Sequence, residues 1–437
     1  MVRSNADRLA SVVSRALGVD VPIRIRAWDC SEHGPPDAPT VVVRSRRALR
    51  QLVWQPGELG LARAYVSGDL DIEGDLTDAL RSIWTAGATR PGPRRLVGAV
   101  APMVRLGALG RRPSPPASEA RLGGALHTRE RDRAAISHHY DPSNEFYELL
   151  LDDSMAYSCG YWTNADNSDG DSDGPGGLPA AQRAKLDLVC RKLALTQGAH
   201  LVDIGCGWGS LTLHAAQHYG ARVTAVTLSS EQRDFVATRA AERGVADRVD
   251  VSLTHYRDLD VTSADAVATI EMGEHVGSAE YTHFATTIHS LLRPRGRALV
   301  QQMSRRNVAP GGGAFIESYI APDMHMKPLH ETISHLEEAR LEIRHVEAMR
   351  EHYPRTVAAW AENLERRWRD AVDLVGEQVA RVWRLYLAGG ALSFEQNRMG
   401  VDQVLAVRPD EHGDSGMPAT PAEWAHGQWP QSHGQQP

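Results

Sequence analysis

The sequence predicts an α/β protein in which a doubly wound, Rossmann-like sheet follows a smaller N-terminal α+β domain. Three observations predict it. Beyond residue 130, short apolar runs alternate with helical patterns. The first of those runs ends in a glycine-rich turn. Upstream, one helical pattern and two strand-like runs precede a proline-rich boundary at Arg111-Arg112-Pro113-Ser114-Pro115-Pro116.

In chain order, Ala6 to Leu17 reads as a helix, Val21 to Trp28 and Thr40 to Val43 as strands, and Arg47 to Asp71 as a mixed polar-apolar pattern. Between Asp78 and Glu119 there is no acidic residue, while Arg81, Arg90, Arg94, Arg95, Arg105, Arg111 and Arg112 interleave with Leu96, Val97, Val100, Met103, Val104, Leu106 and Leu109. Such a basic amphipathic stretch suits an anionic lipid surface, or equally a linker helix docked on its own protein. The domain scheme is an accessory lipid-substrate domain over 1–110, a linker over 111–130, the α/β domain over 131–408 and a disordered tail over 409–437. Within the α/β domain, Leu201 to Ile204, Arg222 to Thr227, Val249 to Leu253, Asp265 to Ile270 and Ala298 to Gln302 read as buried strands. Leu211 to His218 and Glu231 to Arg243 read as intervening helices, and Asn164 to Gly177 as a mobile polar loop.

A chain of 437 residues with net charge -7 has ample material for a core and lacks the charge of a general nucleic-acid binder. Cys30, Cys159, Cys190 and Cys206 have no metal-ligand spacing and no disulfide pattern, which fits a reducing cytoplasm. No apolar run is long enough to span a bilayer.

In Leu201-Val202-Asp203-Ile204-Gly205-Cys206-Gly207-Trp208-Gly209-Ser210, an acidic residue precedes glycines spaced G-x-G-x-G. A dinucleotide turn has the longer G-x-G-x-x-G and meets a pyrophosphate, for which Asp203 is a poor partner. Asp203 can instead pair with a cationic amino group, and Gly205, Gly207 and Gly209 allow close backbone approach. Thr227, Leu228 and Gln232 at the end of the next strand suit a ribose, and Tyr256 after the third suits an adenine face. The ligand these three strand ends predict is S-adenosylmethionine.

Further motifs carry a family resemblance. His139-Tyr140-Asp141-Pro142-Ser143-Asn144, Met155-Ala156-Tyr157-Ser158-Cys159-Gly160-Tyr161-Trp162, the glycine loop, Thr227-Leu228-Ser229, Glu271-Met272-Gly273-Glu274-His275-Val276-Gly277 and His352-Tyr353-Pro354-Arg355-Thr356 resemble the cyclopropane-fatty-acyl-phospholipid synthase family, which includes the mycolic acid cyclopropane synthases. The resemblance runs from about Ile136 to Pro409. It implies a class I methyltransferase fold and methyl transfer from S-adenosylmethionine to a cis alkene of an acyl chain, through a carbocation that a bicarbonate ion deprotonates. It implies that Cys159, Glu274 and Tyr353 belong to the bicarbonate cluster, that Tyr140 lies near the methyl, and that Tyr157 and Ser158 contact the cofactor. The extra N-terminal domain points to unsaturated phospholipid acyl chains at the inner face of the membrane as partners, with peripheral association. A second copy of the chain is a further candidate partner. Read singly, Cys159 also suits a small buried residue, Glu274 a helix-capping carboxylate that His275 orients, and Tyr353 a core tyrosine.

One departure bears on the product. Where the family has a His and then an aliphatic residue two positions on, this chain has Gln301 and Met303. Glutamine donates a hydrogen bond but carries no charge. The expected base binding is therefore altered, which favours a methylene product, the precursor of a methyl branch, over a cyclopropane. A separate reductase would then complete the branch. Glu317 and His325 add ionisable groups with no assigned place. The alternatives are a small-molecule N- or O-methyltransferase and a lipid-binding scaffold that has lost catalysis.

Overall fold

The computed structural model describes residues 3–20, 22–86, 100–120, 143–163, 177–305 and 312–420. Tyr140, the 164–176 part of the polar loop, residues 87–99 of the basic stretch and residues 121–130 of the expected linker lie outside the described residues. The described chain forms two units. One comprises residues from 1–121, 312–322 and 364–393, the other residues from 122–311, 323–363 and 394–437.

In the larger unit, alternation along each strand sends neighbouring side chains to opposite faces. Val202, Val267 and Val300 enter one apolar core with Phe284 and Ile288, whereas Leu201, Ala266 and Leu299 enter another with Val189 and Leu213. A sheet buried on both faces must carry helices on both, which is the doubly wound arrangement. Its strands are β5 (His200–Ile204), β6 (Arg222–Thr227), β7 (Val249–Leu253), β8 (Ala264–Ile270), β9 (Leu292–Ser304), β10 (Glu342–Ala348) and β11 (Gly400–Val407), in the order β10-β11-β9-β8-β5-β6-β7. All pairings are parallel except those of β11, which runs against both β9 and β10. Strand order reverses between β5 and β8, so the crevice at their C-terminal ends is the expected ligand position. The predicted strands and helices of this region are present; β9 is longer than expected because it pairs with β8 on one side and β11 on the other.

The smaller unit has a four-stranded sheet in the order β2-β1-β3-β4, from Arg24–Arg26 (β1), Glu32–His33 (β2), Thr40–Val43 (β3) and Leu70–Glu73 (β4). Ser4 caps the helix Asn5–Leu17 in a capping box with Asp7, and Gly18 ends it in the left-handed conformation. The mixed pattern from Arg47 resolves into two helices, Arg46–Trp54 and Glu58–Val66, followed by β4. Met103, Leu106 and Ala108 of the basic stretch bury their side chains in this unit's own core, so this part docks on its own protein; Leu109 is 68% exposed.

The expected linear order of domains is interrupted twice. Residues 312–322 return to the smaller unit because Glu58 accepts the Phe315 N–H at the start of the helix Ala314–Tyr319 and Glu119 accepts from Tyr319 Oη at 3.1 Å. Residues 364–393 return because Arg381, buried, donates to the Tyr65 carbonyl at 2.7 Å, to the Leu70 carbonyl at 3.0 Å and to Asp71 at 3.1 Å. The tail also differs from expectation. Asp410 and Asp414 each pair with Arg295 at 2.7 Å and order the chain beyond Pro409, while residues 421–437 are outside the described set. No described helix is long and apolar enough to cross a membrane.

Removing one partner of a buried, multiply bonded ion pair destabilises by about 3–5 kcal/mol. Arg381→Ala is expected to lower stability by that order, read as an earlier denaturant-unfolding transition by tryptophan fluorescence, with smaller loss in Arg381→Lys.

Candidate active site

A cleft opens at the C-terminal ends of β5, β6, β7 and β8. Its floor is the turn from Asp203 to Trp208, whose Gly205 (φ 75°) and Gly207 (φ 54°) adopt a backbone that side chains disfavour. Gly205 and Cys206 donate their N–H groups to the Val226 carbonyl, tying the turn to β6. Gly209 (φ 78°) precedes the helix Ser210–His218 and is closed off from the cleft, since a Cβ there would meet Val236 at 2.7 Å. Ser210 and Leu211 begin the helix at the cleft wall.

The predicted cofactor contacts Tyr157, Ser158, Asp203, Thr227, Leu228, Gln232 and Tyr256 all line this cleft. Asp203 accepts from Thr212 Oγ1 at 2.7 Å, and burial pushes its carboxyl up to about 6. Thr227 Oγ1 donates to Gln232 Oε1 at 2.7 Å, which leaves the buried Gln232 Nε2 without a partner. An unmet buried donor is destabilising until an acceptor such as a ribose hydroxyl arrives. Tyr256 packs edge-on against Phe284 and accepts from Arg257 Nε at 3.2 Å, so only part of its ring borders the cleft. Tyr157 sits between Tyr147 and Trp360. Ser158 is held by Lys185 Nζ on its hydroxyl at 2.9 Å and by Gln182 on its carbonyl at 2.8 Å. The fit to an adenosyl ligand bearing an amino group thus rests on the Gln232 donor, the Asp203 acid and the open glycine turn.

Beside the cleft, the residues expected to hold bicarbonate converge on a group that sequence reading did not single out, Glu271. Its Oε1 accepts from the Cys159 N–H at 2.9 Å and from Gln301 Nε2 at 2.9 Å; its Oε2 accepts from Tyr353 Oη at 2.5 Å. Gln301 is positioned in turn by Gln403 at 2.9 Å, and Gln403 by the buried Lys192 at 2.6 Å. The Cys159 thiol is buried, with its pKa pushed up by burial and by the Glu271 charge, so it is no thiolate; its part here is its backbone N–H. Tyr353 stacks on Phe394 at 4.2 Å.

Glu274 is placed differently from expectation. It accepts the Met303 N–H on Oε1, while Oε2 is buried without a partner. Burial and then the nearby Glu271 charge push its carboxyl up to about 8. His275 lines the cleft as a neutral ring, lowered to about 4 by burial. His325 donates its N–H to the Glu274 carbonyl, whereas Glu317 lies in the smaller unit. The signal that could have found Glu271 was a second carboxylate three residues before Glu274, at the end of an apolar strand where ionised groups are rare. Lys185, Lys192 and Gln182 were hidden because a helix sequence does not reveal which of its polar residues face inward.

A profile of the Mycolic acid cyclopropane synthetase family matches residues 127–404. The chain belongs to this family. It is an S-adenosylmethionine-dependent methyltransferase acting on lipids. It is 36% identical over 416 residues to a probable fatty acid methyltransferase of Mycobacterium tuberculosis, covering 92% of this chain and 94% of that one. It is 31% identical over 297 residues to the cyclopropane-fatty-acyl-phospholipid synthase of Escherichia coli, covering 67% and 74%. Among solved structures, the cyclopropane synthase MmaA2 of M. tuberculosis is similar at TM-score 0.58 and 26% identity, over 65% of this chain and 99% of that one. The mycolic acid cyclopropane synthase CmaA1 in complex with SAH and CTAB is similar at TM-score 0.56 and 27% identity, over 63% and 97%.

Two measurements test these assignments. Glu274 in the folded chain keeps its proton up to about 8, whereas the unfolded chain releases it near 4.5. Between those values the folded state binds more protons, so stability falls as pH rises. Denaturant titrations across that window are expected to show this decline, and Glu274→Gln to flatten it. Asp203→Asn is expected to weaken S-adenosylmethionine binding by about tenfold, the value of one charge-assisted hydrogen bond. Calorimetry reads the change, and an unaltered affinity would remove Asp203 from the cofactor contacts.

Proposed function

We propose that this enzyme methylates the cis double bond of an unsaturated phospholipid acyl chain through a carbocation, giving an exocyclic methylene rather than a cyclopropane. The cofactor, when bound, supplies an electrophilic methyl on a sulfonium. The chain's own residues then have three tasks: to exclude water, to stabilise a developing positive charge and to remove a proton.

The observation that carries this reading is the buried carboxylate of Glu271 in the wall of the cofactor cleft. A cation forming at a hydrocarbon carbon has no hydrogen-bonding handle of its own, so a fixed negative charge and aromatic faces are what can stabilise it. Tyr157 supplies an aromatic face in the cleft, and Trp360 and Tyr353 pack near it. A methyltransferase for a small amine or hydroxyl needs a local base but no such enclosed acidic and aromatic wall. The names of the similar proteins, a probable fatty acid methyltransferase and a cyclopropane-fatty-acyl-phospholipid synthase, support an acyl-chain substrate.

Approach to an anionic membrane surface, which we assign to the inner face, is supported by exposed groups of the smaller unit. Trp54 is 50% and Leu109 68% exposed, Trp54 Nε1 donates to the Gly110 carbonyl at 3.3 Å, and the guanidinium of Arg50 lies against Gly110. Exposed Trp and Leu beside arginine suit an anionic headgroup layer. A methylene product would pass to a separate reductase.

The test is mass spectrometry of fatty acids from a host rich in monounsaturated lipids, with and without the protein. The expected result is acyl chains one carbon heavier that carry an exocyclic methylene at the former double bond. Cyclopropane chains alone would overturn the product assignment, and no methylated chains would overturn the substrate assignment.

A further inference from the structure

Bicarbonate does not fit the cluster that the family resemblance assigns to it. The Cys159 N–H, the Gln301 amide and the Tyr353 hydroxyl are the donors available to hold an anion there, and all three already bond the Glu271 carboxylate. We propose that Glu271 is the base of this enzyme: its carboxylate fills the anion site and accepts the proton lost by the methylated acyl chain, so no bicarbonate is bound. This rests on the alkene-methylation reading above.

Three further features of Glu271 fit the role. A carboxylate offers about four lone-pair positions, of which three accept hydrogen bonds here, so one is left for an incoming proton. Glu271 also lines the cleft into which the cofactor fits. Its backbone takes φ 52°, a region that side-chain-bearing residues avoid, immediately after β8. The surroundings hold it there: the Glu271 N–H donates to the Gln301 carbonyl at 2.7 Å while the Gln301 side chain returns a bond to the carboxylate. Strain sustained by a doubly bonded partner beside a ligand cleft is a mark of function.

The neutral amide at Gln301 matters to the chemistry. A protonated imidazole in its place would neutralise the carboxylate, whereas an amide orients it and leaves it anionic. Burial raises the pKa of both carboxyls; Glu274, pushed up to about 8, holds its proton at neutral pH, whereas the three hydrogen bonds that Glu271 accepts favour its charged form, so of the two it is Glu271 that carries the charge. In the reaction, the π pair of the alkene forms the new C–C bond as the methyl–sulfur bond breaks, with sulfur keeping that pair. A hydride then moves with its electron pair from the methylated carbon to its cationic neighbour, which leaves the charge on the methylated carbon; a C–H bond of the new methyl breaks, its electron pair closes the exocyclic C=C bond and its proton passes to Glu271. The acid returns that proton to water after the product leaves.

The experiment uses full-length protein in buffer purged of carbon dioxide, with and without added bicarbonate. Wild type is expected to methylate monounsaturated phospholipid vesicles at the same rate in both, and stimulation by bicarbonate would overturn the proposal. Glu271→Gln, which keeps the shape but cannot take a proton, is expected to slow turnover by about a hundredfold or more with unchanged SAH affinity; turnover near wild type would overturn it. Glu271→Gly suits the local φ, frees the three donors and is expected to regain activity only with bicarbonate. Titration of 13C-bicarbonate into SAH-loaded protein is independent of any lipid substrate. Saturable binding to Glu271→Gly and none to wild type is expected, and saturable binding to wild type would sink the assignment. If wild type methylates no lipid, the substrate reading fails while this binding comparison still decides who occupies the anion site.

Discussion

The Glu271 carboxylate is the constraint around which the site is organised. A buried charge must be met by hydrogen-bond donors in place of water. Those donors come from three separate parts of the chain: Cys159 before the sheet begins, Gln301 on β9 and Tyr353 in the helix that follows β10. Their convergence requires β8 and β9 to lie side by side in register, with Ile270 opposite Gln301. The same register brings β11 alongside, so that Gln403 can hold Gln301 and Lys192 can hold Gln403. The catalytic wall is therefore a property of the central sheet as much as of the loops above it.

Two carboxyls share this region and burial divides their roles. Both are withdrawn from water, but Glu271 receives three donors whereas Glu274 receives the Met303 N–H on one oxygen and nothing on the other. Burial raises the pKa of both, and the group with three donors favours the charged form while the other becomes a neutral acid. Lys185, whose pKa burial lowers while the Glu271 charge opposes that shift, bonds Ser158 and so links the Glu271 wall to the segment that borders the cofactor cleft.

The glycine turn and the smaller unit show how local chemistry and distant packing cooperate. Gly205 and Gly207 satisfy a local demand for positive φ, yet the turn keeps its place through hydrogen bonds to Val226 on the neighbouring strand. In the smaller unit, Glu58 and Arg381 recruit chain from far downstream, so that its composition follows ion pairs and capping rather than sequence order.

The sequence alone marked five of the seven strands of the sheet, the glycine loop and the cofactor, because periodic burial and backbone conformation leave marks at fixed short spacing; β10 and β11 were not read from it. The edges of β6 and β7 and the start of the helix at Ser210 were legible for that reason. Cys159, Gln301 and Tyr353 were legible as members of one cluster through the family's motifs. Only the tertiary structure decided what they surround. Hydrogen-bond partners separated by 112 and 82 residues have no spacing to read, and a carboxylate at a strand end looks alike whether it faces water or three donors. The same reason hid the return of 312–322 and 364–393 to the smaller unit and the ordering of the chain after Pro409 by Arg295. Each depends on a charge meeting a partner that only folding brings near.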